Sequence, residues 1–441
     1  MPACLGQRIR RMYYGWWVVA GLSVTELVSW GVLIYAYPVL DIAMHRQLGW
    51  SYSQLNTAYA TGIAVSGAMG VPVGRWLQRH GPRALMTLGS VLTAVALLGW
   101  SLVRSVLAFF IVCLIAGLAM AMTLYEPALA TTSVWFTTHR ARAVLIITMV
   151  AGLASVVFAP LTAWLVDLQG WRGALLILAV IAASAGLPIH ALVLRRGPAA
   201  GIGDSAAVGA AGAAGEVPRA VDARGGPSIH RRRSFAWLAA CLSLAALAKT
   251  TVVVGLATYL VSRGYELSLA ALAVGGIGLT QIGGRIALVA LRGGWREQHV
   301  AAAAFGAQAV AAGPLLLTAG HGVAATAAVA GFVVVFGSGC GLVEVLRGTL
   351  LPEFYGVDDY ARINGLMSIF VVGARAVAPV AVGAVLAATG TLTPMVAATA
   401  VIAAGSGAAL LLADRAYRRE VSGRPETLGA DRVPSRPDRP G

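Results

Sequence analysis

Twelve apolar stretches, each long enough to cross a bilayer and divided by short arginine-bearing loops, fill the chain almost without pause from Gly15 to Ala413. A helix needs about 20 predominantly apolar residues to traverse the hydrocarbon core. Lipid offers no partner for a backbone N–H or C=O, so uninterrupted segments of this kind must close their hydrogen bonds internally, as helices. The chain therefore reads as an all-α membrane protein with 12 transmembrane helices, placed at residues 15–39, 55–77, 84–103, 107–130, 143–166, 171–194, 235–261, 269–291, 300–318, 323–346, 363–388 and 394–413. The first of them is too long for a signal peptide and lacks a small-residue cleavage site, so it is expected to be retained.

Composition supports this reading and excludes others. With 58% hydrophobic and 12% charged residues and a mean hydropathy of +0.77, little material is left for an extramembrane domain, and no catalytic module is expected. No Gly-rich phosphate loop, metal-ligand spacing or paired-carboxylate cluster is visible, so neither an enzyme nor a cofactor is predicted. The net charge of +15 is spread over loops and tails beside apolar spans, which points to the membrane surface rather than to nucleic acid. Cys4, Cys113, Cys241 and Cys340 show no disulfide pattern and read as small apolar fillers.

Arginine sets the orientation. If the N-terminus is cytoplasmic, 24 arginines fall on that side and four (Arg46, Arg104, Arg172 and Arg263) on the other, which predicts that both termini are cytoplasmic and that the number of spans is even. The expected organisation is a tail at 1–14, a six-helix bundle at 15–194, a linker at 195–234, a second six-helix bundle at 235–413 and a disordered tail at 414–441. The linker is rich in Gly, Ala, Pro and Arg and lacks the apolar content to fold.

The halves carry traces of a 6+6 pseudo-repeat. Setting Glu126 over Glu344 places Trp135-Phe136 over Glu353-Phe354, and a one-residue shift superposes Ala159-Pro160 on Ala378-Pro379. Gly74-Arg75 at the end of span 2 likewise matches Gly284-Arg285 of span 8. Chance similarity between Gly/Ala-rich helices is the alternative.

The segment Gly74-Arg75-Trp76-Leu77-Gln78-Arg79-His80-Gly81-Pro82-Arg83 resembles the signature loop of bacterial major facilitator superfamily transporters, and the likeness extends over nearly the full chain. That resemblance implies the major facilitator fold and a cytoplasmic gate built on Gly74, Arg75, Gln78, Arg79, Gly81 and Arg83, with Glu126, Glu344 and Arg347 at the same end. Gln78 stands where the family usually has an acidic residue, so the latch lacks one attraction between opposite charges. Tyr14-Gly15-Trp16-Trp17, Gly49-Trp50-Ser51 and Gly170-Trp171-Arg172 are similar to the monocarboxylate and oxalate/formate carrier branch. Gln281-Ile282-Gly283-Gly284-Arg285 and Arg347-Gly348-Thr349-Leu350-Leu351-Pro352 resemble a group linked to efflux of arsenicals and related toxic compounds.

Ionisable residues inside spans narrow the site. A charge near the bilayer centre costs at least about 2.5 kcal/mol, so each should face a cavity or a partner. Five qualify: Glu26, Glu126, Lys249, Glu344 and Arg375. The resemblance implies that spans 1, 4, 7 and 10 line the central cavity, and each of them carries one of the five. Glu26, Lys249 and Arg375 lie about halfway along their spans, whereas Glu126 and Glu344 lie about 20 residues into theirs, nearer the cytoplasm and better suited to a latch or proton relay. Ser23, Glu26 and Trp30 share one helical face. The expected substrate-binding set is Arg375, Lys249, Glu26 and Trp30, and the expected proton carriers are Glu26 and Glu126. Arg offers a planar fork suited to a carboxylate, and a carboxyl removed from water is a natural proton carrier. Structural ion pairs, Glu26 with Lys249 and Glu126 with Arg75 or Arg347, remain the alternative.

His139, His190 and His321 are expected at span ends or in loops, and Trp16, Trp17, Trp100, Trp135, Trp164 and Trp171 in the interfacial aromatic belts. The functional expectation is a monomeric secondary transporter of the bacterial inner membrane. It would move a small organic molecule, an anion such as a monocarboxylate, by alternating access with proton coupling. Proton-driven efflux of a drug or metalloid compound is the first alternative, and a receptor or scaffold without transport the second.

Overall fold

The computed structural model describes residues 13–136, 139–194, 233–290, 296–317, 322–355 and 360–422. The N-terminal tail, almost all of the linker, His321 and the chain after Ser422 lie outside the described residues, as do the side chains of Gln78, Glu344 and Arg347. Every regular element among the described residues is helical. Ten segments are long and apolar enough to cross a membrane. One of the ten, Arg142–Val193, contains spans 5 and 6, which part at Gly170, where φ is 71° and ψ 169°. A side chain would be strained at that φ, so glycine is the residue that lets the chain turn back there. Helices Tyr52–Ala68 and Gly70–His80 occupy the place of span 2, where polar residues such as Asn56, Thr57 and Thr61 lower the hydropathy.

Several helices outlast their apolar runs. Span 1, expected to end at Val39, continues through a π-turn at Gly31–Tyr35 and a helix at Tyr37–Leu48. It stops at Gly49, left-handed with φ 69°, after a last turn that carries the basic residues His45 and Arg46, the sign that suits a helix C-terminus. Span 4 runs on to Trp135, and helix Val323–Tyr355 carries span 10 well past Leu346. Span 12 reaches Ser422, nine residues beyond its expected end at Ala413. Asp414 there accepts from Arg296 at 3.2 Å and Arg418 at 2.8 Å. Glu420 accepts from the amide and hydroxyl of Ser234, at 3.1 and 2.6 Å, in a helix that begins at Arg233 inside the expected linker. Helices end where caps and partners run out, and hydropathy does not record those.

Two tryptophans expected in the aromatic belts are instead core residues, Trp100 at 3% and Trp171 at 2% exposure. Both indole N–H groups find internal acceptors: Trp100 donates to Met44 Sδ at 3.0 Å and Trp171 to Gln47 Oε1. Trp17 and Trp164 are exposed on the outer surface. His190, expected near an interface, is fully buried, with Nδ1 bonded to Ser90 Oγ at 2.7 Å and Met86 O at 3.0 Å.

The bundles meet where span 2 packs on span 11 (Tyr360–Thr389) and span 5 on span 8 (Leu267–Ala290). Their cores show where the molecule is closed. Away from the tails, Tyr35, Val39, Ile42 and Ala159 of the first bundle share one cluster with Val252, Leu256, Val274 and Phe336 of the second. Toward the tails each bundle has a core of its own, one around Val18, Met86 and Ile147 and the other around Leu238, Phe305 and Met367. The two bundles thus share a core on the face remote from the tails, the far face, whereas toward the tail face each has its own core and contact thins to spans 5 and 8, where Arg285 donates to Thr148 O at 3.5 Å.

Candidate functional site

Between the bundles, on the tail side of the shared core, lies a cavity of about 500 Å³. Its walls come from five spans: Trp30, Ile34 and Tyr35 of span 1; Tyr59 to Val71 of span 2; Met120 to Glu126 of span 4; Lys249 to Val254 of span 7; and Ser368 to Ala376 of span 11. Most of the surface is apolar, and Glu126, Lys249 and Arg375 supply the ionisable groups.

Local breaks in the helices bring these groups to the cavity. Span 4 is interrupted at Leu124, whose backbone is extended (φ −82°, ψ −169°), and a new helix starts at Tyr125. Pro127 lies in the first turn of that helix, where its missing N–H leaves no hydrogen bond unmade. The restart places Glu126 on the same cavity as Lys249 and Arg375, although its depth along the span had suggested a latch nearer the tails. Lys249 is the only lysine in the chain, and it donates to Oε1 of the buried Gln281 at 3.2 Å. Gln281 lies in one of the motifs that carried the family resemblance, and only its place opposite Lys249 gives it a task.

Glu26 is held differently. It is fully buried and does not line the cavity. Its Oε2 accepts from the Trp30 indole at 3.0 Å, and its Oε1 has no hydrogen-bond partner among the described residues. Trp30 faces the cavity, with its ring centroid 4.8 Å from that of Tyr125 and 6.5 Å from that of Tyr35. The indole therefore stands between Glu26 and the open space, and the hydrogen bond of Glu26 is to Trp30 rather than to Lys249. Ser23, on the same face in sequence, is buried and spends its hydroxyl on Val19 O at 2.7 Å.

The expected gate residues occupy the tail end of span 2. Gly74 is buried, Arg75, Arg79 and Arg83 are exposed, and Gly81 turns the chain into Pro82 with φ 82°. Arg75, Arg79 and Arg83 form no ion pair among the described residues. The backbones of residues 78, 344 and 347 are helical. No described residue of span 10 lines the cavity, while spans 2 and 11 contribute much of its wall. The sequence reading missed Tyr35, Tyr59 and Tyr125, whose only signal is an aromatic ring within an apolar span.

Two helical bundles around a charged central hollow are the build of a membrane transporter. The chain belongs to the Major Facilitator Superfamily, whose family model matches residues 22–379. With ten apolar segments long enough to cross a membrane among the described residues, it is a multi-pass membrane protein of that family. Among curated proteins, it is 30% identical over 193 residues to monocarboxylate transporter 13 of Bos taurus, a match covering 43% of this chain and 45% of that protein. It is 33% identical over 172 residues to monocarboxylate transporter 11 of Mus musculus, covering 38% and 37%. These matches span less than half the length of either relative. Among solved structures, the fold is similar to a bacterial homologue of the human lysosomal transporter Spinster in an inward-facing and occupied conformation. That similarity has a TM-score of 0.66 at 13% identity and covers 92% of this chain and 96% of that one.

Proposed function

We propose that this protein is a proton-coupled secondary transporter of small organic anions of the monocarboxylate type, working by alternating access of two six-helix bundles joined by the linker. The observation that carries the reading is one cavity in which Lys249 and Arg375, from the second bundle, face Trp30 and Glu126, from the first. A guanidinium pairs with a carboxylate through two parallel hydrogen bonds and an ammonium acts as a point charge, so together they suit one anionic group. The apolar wall takes the organic remainder, and the curated relatives that match are monocarboxylate transporters. Glu126 and Glu26 are the carboxyls placed to exchange a proton, one on the cavity and one behind Trp30. The arginine distribution supports cytoplasmic tails in a bacterial inner membrane, which makes the present form, parted at the tail face, an inward-open one. A monomer holds the whole cavity.

The test is counterflow and uptake of labelled monocarboxylates, from formate to benzoate, in proteoliposomes with and without a pH gradient. Uptake should rise with an inward proton gradient. Arg375→Ala should lower it at least tenfold at equal protein content, since leaving a buried charge unpaired costs about 2–5 kcal/mol. Unchanged uptake in Arg375→Ala removes the anion site. The predominance of apolar wall over polar groups favours a second reading, proton-driven efflux of a toxic apolar compound, for which drug or metalloid accumulation in everted vesicles is the measurement.

A further inference from the structure

The aromatic rings and the cations of the cavity wall come from opposite bundles. Trp30 and Tyr35 of span 1, Tyr59 of span 2 and Tyr125 of span 4 all line the cavity, and all belong to the first bundle. Lys249 and Arg375 line it from the second bundle, which contributes no aromatic residue to the wall among the described residues.

The rings are held by partners outside the cavity. The Trp30 indole donates to Glu26 Oε2 at 3.0 Å. Tyr59 donates to Leu33 O at 3.1 Å and stacks on Tyr37, with centroids 3.7 Å apart and planes 5° from parallel. Tyr125 is the first residue of the helix that restarts span 4, and its ring is tilted 43° to that of Trp30 at a centroid separation of 4.8 Å. Small side chains, Ala64 and Ala68 of span 2 and Ala376 of span 11, leave room elsewhere on the wall.

This arrangement offers more than a short acid can use. Formate or acetate would satisfy Lys249 and Arg375 and leave the rings to water, whereas a cavity of about 500 Å³ is of the size that encloses a whole organic ligand. A ring borne on the carboxylate meets both halves of the wall. Aromatic rings have a negative face and a positive edge, so they pack offset or edge-on against other rings more favourably than saturated groups of the same area do. Rings already fixed by Glu26, Leu33 and Tyr37 lose little freedom in receiving such a guest. A cargo with its charge on the second bundle and its ring on the first also links the two bundles through itself, which is what closure around a substrate requires.

We propose that the cargo is an aromatic monocarboxylate, with its carboxylate on Lys249 and Arg375 and its ring against Trp30 and Tyr125. The inference deepens the reading above and rests on its anion site, to which it adds the chemical class of the organic remainder.

Isothermal titration calorimetry on the full-length protein in lipid nanodiscs tests this without transport. Benzoate and cyclohexanecarboxylate carry the same carboxylate, one on a flat aromatic ring and the other on a puckered saturated ring. The saturated ring is the more apolar, so a wall that recognised hydrophobicity alone would prefer it. Benzoate should instead bind at least about threefold more tightly than cyclohexanecarboxylate, and both more tightly than acetate. Tyr125→Leu should bring that ratio down toward one, while Tyr125→Phe, which keeps the ring, should preserve it. Arg375→Ala should weaken both acids alike and leave the ratio unchanged. Cyclohexanecarboxylate binding as tightly as benzoate in the parent, or a ratio untouched by Tyr125→Leu, overturns the aromatic class and leaves the monocarboxylate reading standing. Benzyl alcohol binding as tightly as benzoate, with neither weakened by Arg375→Ala, overturns the anion site and this proposal with it.

Discussion

Trp30 carries two tasks with one side chain, since its ring faces the cavity and its N–H is the donor that Glu26 has. Replacing it with phenylalanine keeps the aromatic body but leaves a buried carboxyl with no partner on either oxygen. Trp30→Phe should therefore cost about 1–3 kcal/mol of stability, visible as a lower melting temperature in detergent, and should change the pH dependence of uptake more than its magnitude. An unchanged melting curve would show that the indole N–H is dispensable. Lys249 and Gln281 form the converse case, a charge held by a neutral acceptor. Gln281→Leu should weaken substrate affinity, read as a raised KM with little change in kcat, because the ammonium loses the group that aims it. What hydropathy made legible here was that five ionisable residues in spans needed an explanation. Their partners were less legible: Glu26 and Trp30 could be put on one helical face, but nothing in a hydropathy pattern joins Lys249 to a glutamine in the next span.

Close backbone contacts occur within a bundle and between bundles, and the two kinds predict different failures. Spans 2 and 4 cross at Gly62, where an added Cβ would meet Cys113 O at 2.6 Å. Gly62→Ala forces a carbonyl to move inside one bundle in every conformation, so it should destabilise by about 1–3 kcal/mol and lower the yield of folded protein. Gly383 meets Ser53 across the bundles instead. A methyl there opposes only the closed far face, and Gly383→Ala should fold normally yet increase labelling of a far-face cysteine by a membrane-impermeant maleimide. Equal labelling would separate that contact from gating. The glycines of the turn motifs, Gly49, Gly81 and Gly170, were readable as resemblance, and the structure supplies their reason in positive φ at chain reversals. The ends of spans 1, 10 and 12 were less readable, since a helix of polar residues beyond the bilayer depends on caps and ion pairs such as those of Asp414 rather than on apolar length.

At the scale of the molecule, the arrangement of cores makes the two bundles bodies that share a seam on one side and part on the other. Gly67 of span 2 faces Val372 of span 11 at the cavity wall, and a Cβ at Gly67 would stand 3.3 Å from that of Val372. That separation is close to the range a disulfide needs, so the pair Gly67→Cys and Val372→Cys should cross-link on oxidation and hold the bundles together. Transport should stop in the cross-linked protein and return with dithiothreitol. Continued transport after complete cross-linking would rule out motion of these two spans against each other. The sequence by itself determined that the chain crosses a membrane many times as helices and carries a few charges that lipid would reject, because each follows from a free energy of transfer read along one dimension. Only the tertiary structure decided that spans 2 and 11 wall the cavity, that Glu126 joins Lys249 and Arg375 there, and that Glu26 hides behind Trp30. Hydropathy reports that a residue has left water, whereas the rotation, breaks and tilt of each helix, set by packing against its neighbours, decide whether it then meets lipid, protein or an open hollow.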